Sequence, residues 1–87
     1  MRLAKYVRFR EEKFGGVLFE TRSEKVFTLN ATGAAVVREV AAGTAEGEIV
    51  GRLRGRYDDS RGVLETDVSA LLADLRARGL VEDAPPG

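Results

Sequence analysis

The sequence predicts an α+β fold, a three-stranded antiparallel sheet followed by a three-helix unit of winged-helix-like order. Three observations carry that expectation. Residues 1–30 hold short runs of β-branched, aliphatic and aromatic residues broken by turn-forming ones. After Asn30 the apolar residues recur at helical spacing. Strands grouped first and helices second argue for α+β rather than a parallel α/β sheet.

The first strand runs from Lys5 to Arg10, where Tyr6 and Arg8 alternate with Val7 and Phe9. Gly15-Gly16 reads as a break. A second strand covers Val17 to Thr21, Arg22-Ser23-Glu24 makes a short polar turn, and a third strand covers Lys25 to Leu29. Strands two and three thus form a β-hairpin. Phe27 and Leu29 share one strand face, expected to be core, and Val26 and Thr28 point the other way. The third strand runs straight into a helix at Asn30, a strong N-cap whose side-chain oxygen accepts a first-turn N–H. Leu29 and Ala34 stand at the positions of a weak hydrophobic staple. This junction sets a sheet edge beside a helical unit, and a strand edge is a ready receptor for an extended peptide.

Helix one is expected over Ala31 to Ala42, with Val36, Val37, Val40 and Ala41 on one face. Gly43 ends it and Thr44 caps the next. Helix two covers Ala45 to Tyr57 with the stripe Ile49, Val50, Leu53 and Tyr57. Opposite that stripe lie Gly47, Gly51 and Gly55. Each costs roughly 1 kcal/mol against Ala in a helix interior, so a poorly formed helix is favoured over a bare face for a partner. Helix three covers Gly62 to Arg78, with the stripe Leu64, Val68, Leu71, Leu72 and Leu75. Gly79 stops it, and Leu80-Val81 folds back on the core.

The 87 residues make one domain over 1–83, and Pro85-Pro86-Gly87 falls in a disordered tail over 84–87. No apolar run approaches the roughly 20 residues that span a bilayer, and the first residues lack a secretory h-region. The expectation is a cytoplasmic protein. With no cysteine and no histidine, disulfides, zinc thiolate sites, a nucleophilic thiol and the usual neutral-pH base are all excluded. The carboxylates are scattered or paired as in Glu11-Glu12 and Asp58-Asp59, the pattern of a solvated surface. Neither catalysis nor a metal or other cofactor is expected. Residues 1–43 carry eight Lys/Arg against five Asp/Glu, and residues 44–87 carry six against nine. That internal dipole orients a charged partner at short range.

In order and spacing these elements resemble the PqqD family, small peptide chaperones also called RiPP recognition elements. The matching residues are Val17-Leu18-Phe19, Val26-Phe27-Thr28-Leu29-Asn30, Thr32-Gly33-Ala34, Glu48-Ile49-Val50, Tyr57, Asp67-Val68, Leu72, Leu75 and Arg78-Gly79-Leu80. Phe14-Gly15-Gly16 ahead of Val17 departs from the quinone-pathway members, so the likeness is to the wider family. The resemblance implies that the leader of a ribosomally made precursor peptide adds as a strand on the third strand, beside helix three. It further implies presentation to a modifying enzyme, often a radical SAM maturase. The edge would be Lys25, Val26, Phe27, Thr28 and Leu29. A helical wheel puts Asp67, Leu71, Asp74 and Arg78 on one flank of helix three as the other wall.

Plainer roles stand beside these. Asp67 suits a first-turn partner of the helix dipole. Asp74 and Arg78, four apart, suit a surface ion pair worth about 0.3–0.5 kcal/mol, and Leu71 suits core packing. An unpaired third-strand edge also allows a weak homodimer in place of a monomer. The alternative function is a winged-helix DNA-binding regulator, which the helical half would suit. Against it, residues 58–67 leading into helix three set four carboxylates against one arginine and would repel a duplex. Arg52, Arg54 and Arg56 are two apart, so they spread around a helix rather than forming one patch. Neither a nucleic-acid nor a membrane partner is expected.

Overall fold

A computed structural model describes residues 1–55 and 64–83. The strands are β1 (Arg2–Leu3), β2 (Val7–Glu12), β3 (Gly15–Glu20) and β4 (Lys25–Asn30). The helices α1 (Ala31–Ala41), α2 (Glu46–Arg54) and α3 (Leu64–Ala77) follow, and β5 (Val81–Glu82) closes the order. β2, β3 and β4 form the predicted three-stranded antiparallel sheet, in that spatial order. The predicted ends of helix two at Tyr57 and of helix three at Gly62, Arg56 and Arg61, and the tail over 84–87 lie outside the described residues.

The sheet shows why its strands differ from expectation by a few residues. Phe9, Leu18 and Phe27 stand level across the three strands, and Gly16 stands level with Leu29. Leu18 is fully buried on this inner face, and α1 lies over it with Ala34, Ala35, Val36, Val37 and Val40 buried. Gly15-Gly16 is not a break but the start of β3. The turn is at Lys13-Phe14. A Cβ on Gly16 would come within 2.7 Å of Phe9 Cε1 and 3.2 Å of Ala34 Cβ. One on Gly15, at φ +149°, would lie 2.3 Å from the Leu29 carbonyl oxygen. Here the glycines allow a helix and a neighbouring strand to approach closely. Among the described residues no helix lies over the outer face, and Phe19 and Val26 are exposed there.

The β3–β4 hairpin forms as expected, with Glu20 level with Lys25 around the turn at 21–24. Asn30 caps α1, accepting a bond from the Gly33 N–H at 2.7 Å. At the other end of α1 the expectation needs two corrections. Ala41 is exposed rather than core. Thr44 does not cap α2: its N–H donates back to the Glu39 carbonyl at 3.0 Å while the Gly43 N–H reaches Val40. That is the double bond of a Schellman ending, with Gly43 at φ +85°. The Thr44 hydroxyl is spent on the Glu39 carboxylate, 2.8 Å away and also 3.5 Å from Arg52, so the buried acid is satisfied. The N-cap of α2 is Ala45, with no side-chain bond.

The helix that the glycines seemed to weaken is regular over Glu46–Arg54, with Gly55 as its C-cap. Ile49 and Leu53 are buried as predicted, facing Leu64, Val68, Leu72 and Leu75 of α3 in one core. Arg52 reaches Glu39 on α1 and Arg54 comes within 3.9 Å of Glu65 on α3, so these two arginines do part company. α3 also ends in a Schellman pattern, with Leu80 N–H bonded to the Leu75 carbonyl at 2.9 Å and Gly79 at φ +72°. Leu80 and Val81 then fold into the core as expected. Sequence reasoning did not find β1 and β5, which pair antiparallel with Arg2 level with Glu82 and Leu3 level with Val81.

Candidate functional site

β4 is an edge strand. Among the described residues it pairs with β3 alone, and residues of β4 and α3 line common hollows in the seam beside it. Two hollows of about 320 Å³ each mark that seam. Thr28, Leu29, Asp67, Val68 and Leu71 line the first, together with Asn30 and the start of α1. Lys25, Phe27, Arg78 and Leu80 line the second, with Glu20, Arg22 and Ser23 from the hairpin turn. The start of α3 therefore lies beside the end of β4, and its end beside the start of β4. The two elements run in opposite directions.

Seven of the nine residues singled out from sequence line these hollows: Thr28, Leu29, Asp67 and Leu71 in one, Lys25, Phe27 and Arg78 in the other. Asp74 lies on the same flank of α3 and receives Arg78 Nε at 3.1 Å, which is the predicted ion pair. The Arg78 guanidinium also sits 5.2 Å from the centre of the Phe27 ring, tying the end of α3 to the strand by a cation–π contact. Val26 is the exception. It is 58% exposed on the outer face, turned away from α3. Leu29 is buried, as expected of core, whereas Phe27 and Leu71 are only partly covered and present apolar surface at the seam.

Sequence reasoning missed Val36 and Val68 as hollow-lining residues, because apolar stripes on helices read as core, and both are indeed buried. It also missed Glu20, Arg22 and Ser23, which the hairpin carries to the mouth of the second hollow. Glu20 organises that turn. The Ser23 hydroxyl donates to its carboxylate, and the backbone N–H groups of Arg22 and Ser23 donate at 3.0 and 2.7 Å. These bonds, the hydroxyl's first, hold the Glu20 carboxyl down at about 2. Arg22 in turn lies 4.2 Å from the centre of the Tyr6 ring.

Three other depressions compete. One lies on the outer sheet face between Arg8, Arg10, Val17 and Phe19, one between α2 and α3 beside Gly47 and Gly51, and one between Tyr6, Arg22 and Gly79. The first and third touch β2, the other edge strand of the sheet, but neither sets that edge along a helix, and the second touches no strand. The β4–α3 seam joins a row of backbone donors and acceptors to apolar surface and charge, which are the elements that hold an extended chain. Among the described residues no group of three or more acidic side chains converges to hold a metal ion, and no helix is long and apolar enough to cross a membrane.

The family described as coenzyme PQQ synthesis protein D (PqqD) has a model that matches residues 15–81. No curated protein matches the chain. Two solved structures resemble it along nearly its whole length. The one described as lasso peptide synthetase B1 complexed with the leader peptide is 27% identical, with a TM-score of 0.79 over 94% of this chain and 96% of that one. The other, TbiB1 in complex with the TbiA(beta) leader peptide, is 23% identical, with a TM-score of 0.84 over 99% and 100% of the two chains. At that identity the second speaks to the fold alone.

Proposed function

Since the chain belongs to the PqqD family, we propose that it is a non-catalytic chaperone that binds the leader of a ribosomally made precursor peptide. The observation that carries this reading is the free edge of β4 set along the two hollows of α3. The leader adds as a fourth strand on β4. Its main chain takes up the edge's hydrogen-bonding groups, and alternate side chains enter the seam between β4 and α3. Lys25, Phe27, Thr28 and Leu29 form the strand wall, and Asp67, Leu71, Asp74 and Arg78 form the helix wall. Val26 contributes through its backbone, since its side chain faces outward. The likeness to lasso peptide synthetase B1, a structure with a leader peptide, supports a peptide of the same kind here.

The unit that does this spans residues 1–83, works in the cytoplasm where precursor peptides are made, and hands its peptide to a modifying enzyme of the radical SAM or another class. Neither cofactor nor metal takes part, and the protein is monomeric or weakly dimeric through the same edge. The DNA-binding alternative has no support from the relatives, and the helix flank at the seam sets Asp67 and Asp74 against the single Arg78, which is not a cationic face.

Titration of a labelled precursor peptide, followed by amide shifts, tests this. Shifts confined to β4 and the facing flank of α3 are expected. Shifts centred on Gly47 and Gly51 of α2, or on Arg8, Arg10 and Phe19 of the outer face, would move the site. Turnover of the peptide by the isolated protein would overturn the non-catalytic assignment.

A further inference from the structure

The two hollows along β4 are opposite in charge. Among the described residues Asp67 is the one ionisable side chain lining the first. The second is lined by Arg22, Lys25 and Arg78 against Glu20. Arg22 and Arg78 are engaged by Glu20 and Asp74. Lys25 and Asp67 are exposed, and neither has an ion-pair partner among the described residues. One unanswered charge of each sign therefore stands at either end of the seam.

Their spacing is that of a peptide strand. Lys25 and Leu29 are four residues apart on the inner face of β4, about 13 Å at ~3.3 Å per residue. Asp67 lies level with Leu29. Eleven residues along α3, about 16 Å at ~1.5 Å per residue, Arg78 lies level with Lys25 and Phe27. Leu71, one helical turn past Asp67, falls between them. Residues i, i+2 and i+4 of an added strand share one face and so would meet Asp67, Phe27 with Leu71, and Lys25 in turn.

Resting on the leader-binding reading, we propose that this seam selects a leader segment by charge order. The segment carries a basic side chain, an apolar one two residues later and an acidic one two residues after that. The order follows from antiparallel addition. Every strand pair among the described residues is antiparallel, and such pairing is slightly the more stable. A leader antiparallel to β4 passes Leu29 before Lys25, so its basic residue meets Asp67 first. Because both contacts sit at an exposed rim, they set direction and register more than total affinity.

Three short synthetic peptides test this, identical but for a central Lys-x-Leu-x-Glu, Glu-x-Leu-x-Lys or Gln-x-Leu-x-Gln, titrated by fluorescence anisotropy. The first is expected to bind about tenfold tighter than the second at low salt, since two exposed contacts change from attraction to repulsion. The neutral peptide falls between. At about 0.5 M salt the difference should largely vanish. The double variant Lys25→Glu, Asp67→Lys, altered at two exposed positions, should invert the preference. Equal binding of all three with shifts on β4 overturns the charge reading and leaves the seam as the leader site. Binding of none overturns both readings. Tighter binding of the reversed peptide overturns the antiparallel direction, and a preference that survives high salt overturns its electrostatic cause.

Discussion

Replacing Leu71 by aspartate puts a carboxylate where the seam offers an apolar side chain. Full burial of a leucine is worth about 1.5–3 kcal/mol, and Leu71 is already partly covered in the free protein. A docked peptide therefore covers only the remainder, about 0.5–1 kcal/mol of apolar contact. The new carboxylate, once covered by the peptide, loses water without gaining a donor, a further cost of about 1–2 kcal/mol. The sum, about 1.5–3 kcal/mol, weakens binding of the precursor peptide by about 10- to 150-fold. The assay is calorimetric titration of the precursor peptide, with circular dichroism to confirm that α3 is intact. The loss should lie mainly in the release rate, whereas Asp74→Lys, at the charged rim, should act more on association. A folded Leu71→Asp protein that binds within about threefold of wild type would refute the placement of an apolar peptide side chain at this seam.

Three further outcomes follow from the fold. Gly16→Ala places a methyl 2.7 Å from Phe9 Cε1 and 3.2 Å from Ala34 Cβ; it should destabilise by about 1–3 kcal/mol in urea melts, and an unchanged midpoint would mean that α1 does not rest on β3 there. Ala45→Ser supplies the side-chain cap that α2 lacks, and Gly51→Ala adds a methyl into open space; each should stabilise by about 0.5–1 kcal/mol, and together they should raise amide protection across α2, now expected to open before α1 and α3. The Glu20 carboxyl is held below its ordinary 4.5, at about 2, chiefly by the Ser23 hydroxyl and then by backbone N–H groups. The stability its bonds to the hairpin turn contribute is therefore fully present above about pH 4.5 and is lost as pH falls toward 2, and in the folded protein the Arg22 and Ser23 amide resonances should titrate near pH 2 rather than near 4.5.

The order of elements was legible because it rests on strong local signals. Asn30 caps α1 as expected, the β3–β4 hairpin forms around the polar turn, and the α3 stripe is buried at Leu64, Val68, Leu72 and Leu75. What stayed hidden depended on contacts between distant residues. A glycine pair normally signals a turn, yet Gly15-Gly16 starts a strand because Ala34 and Phe9 crowd it from outside the strand. Thr44 looked like an N-cap, but its N–H closes α1 and its hydroxyl answers the buried Glu39. Strands of two residues, as at Arg2–Leu3 and Val81–Glu82, are too short to show alternation and exist through their pairing. Of the candidate site, the shared flank of Asp67, Leu71, Asp74 and Arg78 followed from helical geometry, and its choice as a wall from the family likeness. The mouth formed by Glu20, Arg22 and Ser23 did not, since hairpin register brings it to the end of α3.

That last pairing has a topological consequence. With Arg2 level with Glu82, the chain closes on itself, and the Arg2–Glu82 salt bridge at 2.8 Å staples the closure. The protein is wired as a ring whose seam happens to fall between β1 and β5. A short linker across that seam, with the chain reopened at Lys13-Phe14, would leave β4 and α3 joined to the same neighbours as before. The β4–α3 seam thus belongs to the ring rather than to its ends, so this small unit is suited to being spliced into a loop of a larger protein through two closely spaced connections.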